Sequence, residues 1–99
     1  MLGEALRLIR VYHDTKLTDL ADAFGVSPSF LSEIEHGKKM PNLEMIEKYA
    51  KHFKIRVSAV LFFAEELDKT KLGGKIKDKI RGNMITFMQL LEKYRDIEK

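Results

Sequence analysis

The chain has no cysteine. This excludes disulfides, thiolate zinc sites and cysteine nucleophiles, and it fits a reducing compartment such as the cytoplasm. No apolar stretch approaches the roughly 18 residues that a membrane-spanning helix needs. The first ten residues interleave Glu4, Arg7 and Arg10 with apolar side chains, so they do not have the apolar centre of a signal peptide. No alternating strand pattern runs longer than four residues, and no internal repeat is present. The three histidines, His13, His36 and His52, are scattered without metal-ligand spacing. A nucleophile turn and a phosphate-cradling glycine loop are also missing. Neither catalysis nor a metal nor a cofactor is expected.

The 99 residues are 44% hydrophobic and 33% charged, which suits one modest core with a short appendage. A net charge of +3 is a mild bias that does not identify a partner by itself. Residues 1–64 carry 9 basic and 8 acidic side chains, and residues 65–99 carry 9 and 7. Lys69, Lys71, Lys75, Lys77, Lys79 and Arg81 cluster against Asp78 alone. That cluster reads either as a solvated linker entering a helix or as a basic arm near phosphates.

Apolar spacing is helical almost throughout. Leu2, Ala5, Leu6, Ile9 and Tyr12 step by three or four and predict a first helix over about 2–13, broken at His13-Asp14-Thr15. Leu17, Leu20, Ala21 and Phe24 predict a short second helix ended by Gly25. Ser27-Pro28 supplies a hydroxyl cap and a first-turn proline for a third helix carrying Phe30, Leu31 and Ile34, stopped at His36-Gly37. Asn42 caps a fourth helix with Leu43, Ile46, Tyr49, Ala50 and Phe53. Ser58 is expected to cap a fifth, from Ala59 to about Leu67. Gly73-Gly74 marks a hinge. Ile76, Ile80, Met84, Phe87, Leu91 and Tyr94 then step as the stripe of a long amphipathic sixth helix, weakened near Gly82. The expected fold is all-α: a five-helix domain over 1–67, then a basic hinge and C-terminal helix over 68–99.

The second and third helices are joined by a very short turn. Ala21 is small where two steeply crossing helices approach. Gly25 tolerates the positive φ that a tight turn needs. Leu20, Phe24, Leu31 and Ile34 point into one shared core. Together these residues make the segment from Leu17 to His36 a specific constellation. With the stretch from Phe30 to Phe53 and the opening of the fifth helix, it resembles the phage-repressor/Cro-like helix-turn-helix family, also called the xenobiotic-response-element type. The resemblance covers roughly residues 2–64.

The resemblance implies a compact bundle of about five helices, DNA binding in the major groove and transcriptional regulation. It implies a structural ion pair between Arg10 and Glu35. It also implies a cytoplasmic chain of bacterial or phage origin, associated with the nucleoid. Ser27, Pro28, Ser29, Ser32 and Glu33 face away from Leu31 and Ile34 and are the expected base-reading residues. Serine can pair with several bases, glutamate accepts from the cytosine amino group, and proline touches only apolar groups such as the thymine methyl. Leu17, Pro28 and Glu33 stand where family members often carry Gln, Arg or Lys. Phosphate contacts are expected from Lys16, His36, Lys38, Lys39 and Asn42, aided by free N–H groups at the start of the fourth helix.

A single small domain binds DNA weakly, and palindromic operators favour two-fold dimers. The fifth helix is unusually apolar, and the sixth has a stripe that a five-helix domain does not bury. Leu61, Phe62, Phe63, Ile80, Met84, Phe87, Met88 and Leu91 are the expected homodimer interface, with packing of the sixth helix on the fifth within one chain as the alternative. The function expected is a sequence-specific transcriptional regulator, in particular a repressor, on double-stranded DNA. The other reading is an antitoxin-like protein whose C-terminal segment binds a toxin or another protein partner.

Overall fold

The computed structural model describes residues 2–70. The expected sixth helix, the Gly73-Gly74 hinge and the stripe residues Ile80, Met84, Phe87, Met88 and Leu91 lie outside the described residues. Among those described, the fold is all-α. Five helices follow in order: α1 (Leu2–Tyr12), α2 (Leu17–Phe24), α3 (Pro28–Glu35), α4 (Leu43–Phe53) and α5 (Val57–Thr70). Helix α1 packs on α3, α4 and α5, α2 packs on α3, and α4 packs on α5.

The helix ends follow local chemistry. After α1, Asp14 takes a φ of +52°, and the His13 ring turns back so that its Nδ1–H donates to the Ile9 carbonyl at 2.7 Å. Helix α2 closes with Gly25 at φ +70°, its N–H on Asp22 O and that of Val26 on Ala21 O. This is the paired 5→2 and 6→1 closure of a left-handed C-terminal turn. The same pairing ends α3 at Gly37 and α4 at Lys54, which takes φ +58° without being glycine.

One boundary differs from expectation. Helix α5 begins at Val57, and the Arg56 carbonyl accepts the N–H groups of Ala59 and Val60. Ser58 therefore lies inside the helix and does not cap it. The helix also extends three residues past Leu67, to Thr70.

The core is one cluster drawn from all five helices. Leu6, Ile9, Leu20, Leu31, Ile34, Tyr49, Val60, Phe63 and Leu67 are its largest fully buried side chains. Each such side chain contributes about 1.5–3 kcal/mol on removal from water, so the cluster dominates the fold. On α4 the inward positions are Met45, Ile46, Tyr49, Ala50 and Phe53. Leu43, expected on that stripe, is the first residue of the helix and stands 61% exposed. On α5 the inward positions are Ala59, Val60, Phe63, Ala64 and Leu67. Phe63 is thus a core residue rather than a surface one, because it falls one position round the helix from Phe62.

Glycine does one more thing here. Gly3 is buried in α1, and a Cβ on it would overlap the carbonyl oxygen of Ile34. Its lack of a side chain lets α1 come into backbone contact with the last turn of α3.

Candidate nucleic-acid interface

The turn between α2 and α3 is built from three small devices. Gly25 reverses the chain. Val26 returns its N–H to Ala21, which is fully buried. Ser27 Oγ accepts the N–H of Phe30 at 3.1 Å, capping α3, and Pro28 occupies the first helical position. From behind, Leu31 and Ile34 anchor α3 in the core. Lys48 reaches across from α4 to donate to the Phe24 carbonyl at 3.4 Å, holding the end of α2.

This leaves one face of α3 outward. Ser27, Pro28 and Ser29 are exposed, and Ser32 and Glu33 are half-exposed beside them. The structure brings all five onto a single surface. His36, Lys38, Lys39 and Asn42 are exposed on the loop that follows. The His36 Nδ1 donates to the Ser32 carbonyl at 2.8 Å and lies 3.3 Å from the Ser32 hydroxyl, so the ring is folded back on α3. Asn42 spends its Oδ1 on capping α4, accepting the Met45 N–H at 2.9 Å, and keeps its amide N–H₂ for an outside acceptor. Lys16 precedes α2 and is exposed, with no cap hydrogen bond from its side chain. Lys39 is engaged: its ammonium lies 3.4 Å from Glu33 Oε2 and 5.1 Å from the centre of the Phe30 ring.

Behind this face lies a buried polar network. Arg10 Nε donates to both Glu35 oxygens at 3.1 and 3.0 Å, and its Nη2 lies 3.0 Å from Oε1. Arg10 Nη1 also donates to the Thr15 carbonyl at 2.8 Å, tying in the turn before α2. Tyr49 donates its hydroxyl to Glu35 Oε2 at 2.6 Å. Glu35 is 3% exposed, so these partners are what make its burial tolerable. The Tyr49 phenol is pushed well above its ordinary pKa, first by burial, then by its hydrogen bond to Glu35 and that carboxylate's charge; the positive charge of Arg10 opposes the shift. One carboxylate on the last residue of α3 thereby binds α1 and α4, and through Arg10 it is linked to the turn leading into α2.

Tyr49 and Gly3 carry roles that the sequence pattern does not signal. Tyr49 falls on the apolar stripe of α4 and reads as core packing, which it also is. Gly3 sits within a helical stretch and carries no turn signature. Among the described residues no group of three acidic or histidine side chains is placed to hold a metal, and no helix is long and apolar enough to cross a membrane.

Residues 6–60 match the family model described as helix-turn-helix. A transcriptional repressor of a cryptic phage CTXphi in Vibrio cholerae, RstR, is 30% identical over 81 residues, which is 82% of this chain and 69% of that protein. The transcriptional regulator ClgR of Mycobacterium tuberculosis is 33% identical over 66 residues, covering 67% of this chain and 59% of ClgR. The chain thus spans about three fifths of that regulator's length. The crystal structure of the clp gene regulator ClgR from Corynebacterium glutamicum superposes with a TM-score of 0.64 at 34% identity, covering 81% of this chain and 83% of that one.

Proposed function

The chain belongs to the phage-repressor/Cro-like helix-turn-helix family and is a DNA-binding transcriptional regulator; from that premise we propose that it acts as a repressor, binding a palindromic operator as a homodimer. The observation that carries the reading is the outward face of α3. Five side chains able to meet base edges stand together on a short helix whose inner side is locked by Leu31, Ile34 and Glu35. A helix held this firmly enters the major groove as a preformed element.

In this reading Ser27, Pro28, Ser29, Ser32 and Glu33 face the bases. Lys16, His36, Lys38 and Asn42 fix the register on sugar and phosphate, with the first N–H groups of α4 as further donors. The repressor assignment draws on the similarity to RstR, which is named a transcriptional repressor. The homodimer is supported by α5, where Leu61 and Phe62 stand 47% and 46% exposed side by side. Two copies joined there set the separation of two recognition helices.

Selection of bound sites from a pool of random duplex DNA tests this. The expected outcome is an enriched palindrome whose half-sites lie about one helical turn, roughly 34 Å, apart. Enrichment of a single unrepeated half-site would remove the homodimer, and recovery of no sequence would remove specific binding.

A further inference from the structure

Glu33 is the acid on the outward face of α3, and three contacts tie the following loop back to it. Its carbonyl oxygen accepts the N–H of Lys38 at 2.9 Å and that of Lys39 at 3.2 Å. Its carboxylate faces the Lys39 ammonium at 3.4 Å. That ammonium also sits 5.1 Å from the centre of the Phe30 ring. Phe30 is packed against the core, so the ring is a fixed platform. Lys39 is therefore drawn over the face of α3, between residues 30 and 33. Its neighbour Lys38 is exposed, and its ammonium has no partner among the described residues.

A pair this exposed adds little to stability. Its weight falls on what α3 presents to DNA. A lone carboxylate entering the major groove is repelled by the phosphates on either side. A carboxylate with an ammonium beside it is neutral as a unit and offers an acceptor next to a donor. In the major groove a C·G pair offers the reverse pattern: the cytosine amino donor next to the guanine O6 and N7 acceptors.

We infer that Lys39 is a specificity-determining residue rather than a phosphate anchor. Glu33 and Lys39 recognise one C·G base pair together, Glu33 accepting from the cytosine amino group and Lys39 donating to the guanine. The inference rests on the DNA-binding reading given above.

Five full-length chains test it: wild type, Glu33→Gln, Lys39→Ala, the Glu33→Gln/Lys39→Ala double variant and Lys38→Ala. Each is put through selection from random duplex DNA. Each is also titrated across a salt series on an unselected duplex of about three helical turns. Glu33→Gln and Lys39→Ala relax the preference at the same base pair, by roughly tenfold, and keep the rest of the site. The double variant, which removes the pair as a neutral unit, retains the wild-type salt slope, whereas Lys38→Ala lowers it by about 0.9 per protomer. A slope lowered by the double variant overturns the inference, as does relaxation at different base pairs in the two single variants. Both side chains are exposed, so a folding defect does not intervene, and a thermal melt checks this. A wild-type chain that enriches no sequence overturns the underlying reading as well, and that failure is visible before any variant is compared.

Discussion

Tyr49 and Glu35 meet at 2.6 Å, hydroxyl to carboxylate, and this bond fastens α4 to the last residue of the helix that carries the candidate base-reading face. Arg10 holds the same carboxylate from the other side. The α3 surface is thus rigid for a specific reason: its buried end is a three-residue polar network with each member partnered.

The network makes stability fall in alkali. Tyrosine in an unfolded chain ionises near about pH 10, while in the fold its pKa is raised by burial and by Glu35. Above that pH the unfolded chain sheds a proton that the folded chain keeps. Stability from this group is fully present below about pH 10 and is lost above it, by up to roughly 1.4 kcal/mol per pH unit. Urea denaturation of wild type and Tyr49→Phe checks the sign: the alkaline slope should be steeper in wild type. Equal slopes would mean that the phenol ionises freely within the fold.

Arg10 and Glu35 should respond unequally to truncation. The Glu35 side chain is 1% exposed and that of Arg10 is 15%. Without Arg10 the carboxylate has no route to water, so Arg10→Ala should cost about 3–5 kcal/mol. Without Glu35 the guanidinium keeps Thr15 and some solvent, so Glu35→Ala should cost less, about 2 kcal/mol. Chemical denaturation of the two variants gives the order, and the reverse order would contradict the burial argument.

Gly3 offers a test in which propensity and packing have opposite signs. In an ordinary helix interior Gly→Ala gains about 0.5–1 kcal/mol. At Gly3 the added Cβ overlaps the Ile34 carbonyl, and overpacking costs typically about 1–3 kcal/mol. Packing wins, so Gly3→Ala should melt several degrees lower, at about 4–8 °C per kcal/mol. It should also weaken DNA binding by shifting α3. A higher melting temperature would show that α1 and α3 do not approach so closely.

The proposed homodimer should be separable from folding of the domain. Phe62 is 46% exposed, so Phe62→Asp leaves the core intact. Light scattering at micromolar concentration should give a dimer mass for wild type and a monomer mass for the variant. A wild-type monomer would remove the proposed interface.

Much of this was legible in the residues. Gly25, Ser27-Pro28 and Asn42 are local signals, and each ends or starts a helix where its chemistry requires. Spacing placed Ala5, Leu6 and Ile9 of α1, Leu20 and Ala21 of α2 and Leu31 and Ile34 of α3 inside, but not Gly3 or Leu8. What spacing does not carry is which side of a doubly apolar helix is covered: Phe62 and Phe63 are adjacent in sequence and opposite in fate. Apart from Arg10 with Glu35, which the family resemblance implied, long-range pairings were equally silent. The reach of Tyr49 to Glu35, of Lys48 to Phe24 and of Lys39 to Glu33 depends on how helices and loops come together in three dimensions. The α5 start escaped because its first backbone bonds go to the Arg56 carbonyl, a group that every residue type carries.

Whether the α3 face distinguishes one DNA sequence from another is read out by a ratio of affinities. The full chain is titrated at one fixed salt concentration against its selected duplex and against a scrambled duplex of the same composition. The selected duplex is expected to bind at least about 10³-fold more tightly, and Ser29→Ala to erode the ratio while leaving the scrambled affinity within about twofold of wild type. Equal affinity for the two duplexes would contradict that expectation.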